Sequence, residues 1–255
     1  MKPDFGTRTA KLLTSITTIL LSACGGGGSS APSPSAEGVY GGALSGSASS
    51  SFQALVLEND EFWVLYGTQS NTTFFVAGFI QGPGTSSSGT FTASSLKDYG
   101  LLPPVGGTAS ATYNADAKTI NGSANFPGRT VGFNGGPIAG SLYNYNNPAN
   151  LSNVSGAWAV TVNTGETANL SIGSTGTISL LSSLGCSGTG SATPRASGKN
   201  VFNVSLTFGP APCAIPGGTI SGIAIAYPLS SGRTQLIAGG KNSAQTAGFM
   251  IFGTR

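Results

Sequence analysis

Residues 201–208, VFNVSLTF, constrain this chain more than any other stretch. In an extended strand Phe202, Val204, Leu206 and Phe208 fall on one face, and Asn203, Ser205 and Thr207 fall on the other. One face is built to be buried and one to be wet. The same alternation, in shorter and weaker form, recurs down the chain. It is legible at 52–57, 62–66, 73–80, 89–93, 108–113, 119–125, 131–133, 158–162, 168–172, 177–181, 219–227, 234–238 and 248–252. Beyond residue 23 no segment carries a helical period with caps. Forty glycines and abundant Ser and Thr fit short strands joined by tight turns. Disorder would also account for that composition. Beyond residue 37, however, the recurring aromatic and β-branched residues bury enough surface to offset chain entropy. The expected fold class is all-β, with antiparallel up-and-down β-barrel-like or small sandwich domains, two in tandem.

The division into two rests on an echo. Gly38-Val39-Tyr40 opens one half and Gly156-Ala157-Trp158 the other, with the polar stretch NYNNPANLSN between them. The alternative is one continuous sheet in which the echo is accidental. In the first half, Glu58-Asn59-Asp60-Glu61 joins two strands as an acidic hairpin turn.

The amino-terminal segment is of another kind. Lys2, Arg8 and Lys11 precede a mostly apolar run of about ten residues at 12–21, too short for the roughly 20 a spanning helix requires. It ends Leu21-Ser22-Ala23-Cys24, which resembles the lipobox of bacterial lipoproteins. The resemblance implies cleavage before Cys24, a diacylglyceryl thioether on its sulfur and acylation of the new amino terminus, hence the palmitate-type modification of such proteins. One acyl chain holds a protein only marginally, so several are needed. In that family Asp after the cysteine marks inner-membrane retention. Gly25 stands there instead, so the expected location is the outer membrane, lipid-anchored on its periplasmic face or at the cell surface. The chain then divides into a signal peptide at 1–23, a Gly/Ser/Pro tether at 24–37, a first β-domain at 38–143, a linker at 144–153 and a second β-domain at 154–255.

With Cys24 assigned to lipid, Cys186 and Cys213 remain as an even pair in an exported chain, and a disulfide between them is expected. In an antiparallel hairpin, facing residues have a constant index sum. For this pair it centres the turn between Lys199 and Asn200, inside the polar stretch Ala196-Ser197-Gly198-Lys199-Asn200.

Little in the chain points to catalysis. It contains no histidine, which removes Ser-His-Asp and Cys-His chemistry and the commonest zinc ligands. Gly25–Gly28 lacks the strand and helix that a phosphate-cradling loop requires. Glu58, Asp60 and Glu61 form the one local acidic cluster, and three acids at a hairpin tip read as a solvated turn. No catalytic, cofactor-binding or metal-ligating residue is assigned, and the chain is expected not to be an enzyme. Without Lys2, Arg8, Lys11 and Asp4, the eleven basic and eight acidic residues leave a net charge of +1, so no nucleic-acid partner is expected. Trp63 and Trp158 are expected to fill a core.

A lipobox, a Gly-rich tether and β-rich halves opening on Gly-x-Tyr and Gly-x-Trp resemble, in layout, the surface lipoproteins of the transferrin-binding protein B and factor H-binding protein type. The resemblance implies barrel domains that bind host proteins through loops. This chain departs from them in carrying few charges. The expected function is therefore a membrane-anchored, non-enzymatic lipoprotein that binds a protein or small ligand at the envelope. Two alternatives stand beside it: a structural or envelope-assembly lipoprotein, and a lipocalin-like carrier. A carrier requires a cavity of several hundred Å³, open beside Trp63 or Trp158.

Overall fold

The computed structural model describes residues 34–70 and 73–255. Cys24 and the expected signal peptide at 1–23 lie outside the described residues. Two closed antiparallel barrels of eight strands follow one another. The first is built from β1 (Gly38–Ser45), β2 (Ser51–Val56), β3 (Phe62–Ser70), β4 (Thr73–Gly82), β6 (Thr90–Asp98), β7 (Val105–Asn114), β8 (Thr119–Phe126) and β9 (Arg129–Gly136). β5 (Thr85–Ser87) is a short flap on β6. β9 returns to β1, and β4 meets β6 through Ile80↔Asp98 and Gln81↔Lys97 to close the wall. The second barrel runs β10 (Gly156–Val162), β11 (Thr167–Ile172), β12 (Thr177–Ser182), β13 (Ser187–Pro194), β14 (Phe202–Phe208), β15 (Thr219–Pro228), β16 (Thr234–Lys241) and β17 (Gly248–Thr254), with β17 paired to β10.

β14 behaves as its alternation requires. Phe202, Leu206 and Phe208 enter the core of the second barrel, while Asn203 and Thr207 stay exposed. Like the short β5, β13 is a strand that apolar patterning misses. Its sequence SGTGSATP holds no large apolar side chain, and its inward positions are Gly188, Gly190 and Ala192. Small residues are needed there: a Cβ on Gly190 would lie 1.9 Å from the Ser205 carbonyl oxygen. The β13–β14 ladder pairs Gly188 with Phe208 and Pro194 with Phe202, which centres the turn on residue 198 and not between 199 and 200. Cys186 and Cys213 are bonded, but not as cross-strand partners. The disulfide ties the start of β13 to the loop between β14 and β15.

Each barrel is shut at the end where its first strand begins, and by the same device. Tyr40 donates its hydroxyl to the Ala36 carbonyl (2.6 Å), and Trp158 donates its indole N–H to the Val154 carbonyl (2.7 Å), in both cases four residues back. Gly38 and Gly156, two residues before each ring, have φ of 138° and 116°, a conformation that side chains resist. The echo in the sequence is therefore an echo in geometry. In the second barrel the Arg255 guanidinium lies 3.9 Å from the Trp158 ring centroid and donates to the carbonyls of Ser155 and Asn153.

A third apolar cluster lies between the barrels. Leu55, Leu57, Trp63, Leu65, Phe74 and Phe79 from the first meet Ile223, Ile225, Tyr227, Ile237 and Met250 from the second, all buried. Phe79 is stacked between Trp63 and Tyr99, with centroids 6.1 and 4.7 Å away. Gln53, Tyr227 and Gln235 form a hydrogen-bonded set inside the seam. At its edges, Arg195 pairs with Glu58 (2.7 Å) and Lys199 with Glu37 (3.0 Å). Trp158 thus fills a barrel core as expected, whereas Trp63 fills the seam.

Candidate functional site

The topology gives the first barrel one closed end and one mouth. β1 starts at the closed end, so the turns β1–β2, β6–β7 and β8–β9, the end of β3 and the start of β4 all lie at the mouth. The strap before β1 is fastened at the closed end. Tyr113 donates to the Pro34 carbonyl (2.5 Å), the Ala36 N–H donates to Ser86 Oγ (3.0 Å), and Lys118 donates to the Glu37 carbonyl (3.1 Å).

The interior of this barrel is apolar and incompletely filled. A cavity of about 80 Å³ is lined by Phe52, Phe62, Phe91, Ala109 and Ala124, among others, and reaches Leu44, Ser47 and Arg129 at the mouth. Its polar groups gather at that end. The Asp98 side chain is fully buried, yet well supplied with donors. Tyr66 Oη (2.6 Å) and the Gly100 N–H (2.9 Å) both donate to Oδ1, and Arg129 Nη2 donates to Oδ2. Such a carboxylate is tolerated inside a barrel because it is paired and hydrogen-bonded. Burial, and the hydrogen bond to Asp98, push the Tyr66 phenol well above its ordinary value. Arg129 also lies over the Phe126 ring at 4.7 Å. Around the mouth three large apolar side chains face solvent: Phe75 on β4, and Leu101 and Leu102 on the β6–β7 loop, at 59, 45 and 84% exposure.

A second concavity runs between the barrels. It is a cleft of about 410 Å³ bounded by Glu61 and Trp63 on one side and by Ser191, Asn203, Ser221 and Lys241 on the other. This cleft has the volume that a carrier requires and lies beside Trp63, but it is outside both barrels and its lining is mixed, with Val204 and Ile223 among the polar side chains. The space inside the first barrel is well below the 300 Å³ or so of a typical ligand pocket.

The acidic hairpin is less solvated than its sequence suggests, and its three acids do not converge. Glu58 turns to Arg195 and accepts from Tyr145 (3.2 Å). Asp60 accepts from the Ser86 N–H (2.8 Å) and its hydroxyl (2.6 Å), and Glu61 accepts from Trp63 (3.2 Å) and Gln81 (2.8 Å). Burial alone would raise the Glu58 carboxyl, but the hydrogen bond and charge of Arg195 hold it below its ordinary value. Among the described residues no three His, Cys, Asp or Glu side chains converge as metal ligands. Asp98, the most deeply buried acid, does carry a local signal. An Asp two residues before a glycine N–H that it accepts is an Asx-type turn, and Lys97-Asp98-Tyr99-Gly100 is one. Its partner Arg129, on another strand, carries none.

Fold and site together define a tandem eight-stranded β-barrel protein with one barrel open at a polar-rimmed mouth. No family model matches the chain, and no curated protein matches it significantly. Among solved structures, it is similar to a Bacteroides fragilis protein provisionally assigned to the outer membrane, at 14% identity and a TM-score of 0.27, over 86% of this chain and 96% of that one. It is also similar to a Nostoc punctiforme protein of unknown function from the DUF3598 family, at 11% identity and a TM-score of 0.25, over the same shares.

Proposed function

We propose that this chain is a lipid-anchored lipoprotein of the outer membrane that acts as a binding protein, not an enzyme, and that the mouth of the first barrel is its binding end. The observation that carries this is the fastening of the strap at the closed end. Nine residues lie between Cys24 and Pro34, so a lipid on Cys24 would hold the chain by a tether of at most about 35 Å that joins it at that end. This supports reading the opposite end, whose elements carry Phe75, Leu101 and Leu102, as the one that meets a partner. Exposed apolar groups gathered at one end of a domain mark a contact surface. Most large apolar residues of both barrels lie inside or in the seam, with Leu142, Leu181 and Leu184 exposed singly away from the mouth, and the exposed outer face of β13 and β14 carries Ser, Thr and Asn. A membrane-spanning barrel has the opposite arrangement.

Two measurements test this. Labelled palmitate should enter the wild-type protein and not a Cys24→Ser variant; equal labelling of both would sink the anchor. A photo-crosslinker at position 102 should yield adducts in intact envelopes that one at position 217, an exposed turn of the second barrel, does not. Equal yields at the two positions, or none at 102, would refute the choice of binding end.

A further inference from the structure

We infer that the first barrel takes, through its mouth, a short alkyl chain bearing a carboxylate head. The inference rests on reading this end as the binding end, and it adds the chemistry of the ligand. The cavity is apolar along its length and polar only at its opening. A ligand that matches it is apolar at one end and polar at the other.

The size sets how much enters. A cavity of about 150 Å³ takes a benzene ring, so 80 Å³ takes a chain end of about three or four carbons. The head of a chain that short lies at the opening, in the part of the lining that Ser47 and Arg129 provide. The site therefore takes a short-chain acid, which is why its volume falls short of a carrier's.

The rim selects the head. Asp98 already accepts from Tyr66, Gly100 and Arg129, and the Arg129 charge offsets its own, so it does not call for a second cationic group. Arg129 has five N–H donors. Its Nη2 goes to Asp98, and the side chain is 38% exposed at the opening, with its plane held against Phe126. What the mouth offers a head group is a positively charged donor fork, which suits a carboxylate.

The test is calorimetric titration of the full chain carrying Cys24→Ser, which keeps lipid and detergent out, with propanoate, butanoate, pentanoate and octanoate. Affinity should rise about fourfold per added methylene as far as pentanoate, while the chain is still filling the cavity, then level off. Butyltrimethylammonium and pentanol should bind at least fivefold more weakly than pentanoate. Ala124→Leu and Ala109→Leu each project a larger side chain into the cavity and should weaken pentanoate at least tenfold. Either suffices if it melts as the parent does, and the chain-length series stands without them. Absence of heat for every carboxylate, equal binding of the ammonium head, or indifference to a folded filling variant would overturn the inference. Such a failure leaves the anchor untouched, since palmitate labelling decides that separately.

Discussion

The seam between the barrels makes a sharp prediction at Gly248. A Cβ built there would lie 2.3 Å from Phe79 Cζ and 2.8 Å from Tyr99 Cδ1. Carbon atoms in contact sit near 3.5 Å or beyond, so the Phe79 ring would have to retreat by more than about 1 Å. It cannot do so easily, because it is fully buried and stacked between Trp63 and Tyr99. Overpacking of this kind costs about 2–3 kcal/mol, and Gly248→Ala should destabilise the protein by that amount. Phe79→Leu removes the obstructing ring edge at a cost of about 2 kcal/mol. In the double variant the new methyl occupies space the ring has vacated. The double variant should therefore be about 1.5 kcal/mol more stable than the sum of the two single changes implies. The assay is urea denaturation followed by tryptophan fluorescence, since Trp63 lies against Phe79. Additivity to within about 0.5 kcal/mol would refute the seam as described.

Reduction of the Cys186–Cys213 bond, which closes a loop with a sequence separation of 27, should cost about 3.5 kcal/mol in the loop-entropy model; an unchanged denaturation midpoint under reductant would count against it. Glu58→Gln should cost about 1 kcal/mol at pH 7. Because Arg195 holds the folded-state Glu58 below its ordinary value, that stabilisation is present above the unfolded pKa and is lost as pH falls through the folded one. The gap between wild type and variant, followed by denaturation at several pH values, should therefore close on acidification. Burial pushes the Tyr40 hydroxyl up to about 12, helped by the nearby Tyr113 and Glu37. Its stabilisation is complete below pH 10 and disappears as pH rises towards 12, so Tyr40→Phe should flatten the alkaline limb of a stability profile. Arg255→Gln removes the cation from the Trp158 ring and should cost about 1 kcal/mol, read by thermal melting.

What the sequence made legible was whatever is written in local alternation. β14 is visible because one side of it is buried and the other wet. β15 and β16 carry a further signal: Ile223 to Tyr227 is apolar at every position, and so is Leu236 to Ala238. Both faces of those strands are covered, one by a barrel core and one by the seam. The run announces two-sided burial but does not say what provides the second cover. β13 escapes because its neighbours need small residues, and small residues have no hydrophobic period. The site is less legible than the fold. The mouth depends on Asp98 and Arg129 meeting across strands, and the cavity depends on how several Phe rings fail to fill a barrel. Neither is a property of any one stretch of chain.

The seam also has a history within each molecule's own folding. Synthesis runs from the amino terminus, so the first barrel is complete while β15 to β17 are still unmade. Until they arrive, Leu55, Leu65, Phe74 and Phe79 form an uncovered apolar stripe on its wall. A chain cut after residue 143 would keep that stripe for good. The two barrels repeat one architecture, yet neither is a spare part: the half-finished protein is a sticky one, and the second barrel is what makes the first safe to leave in water.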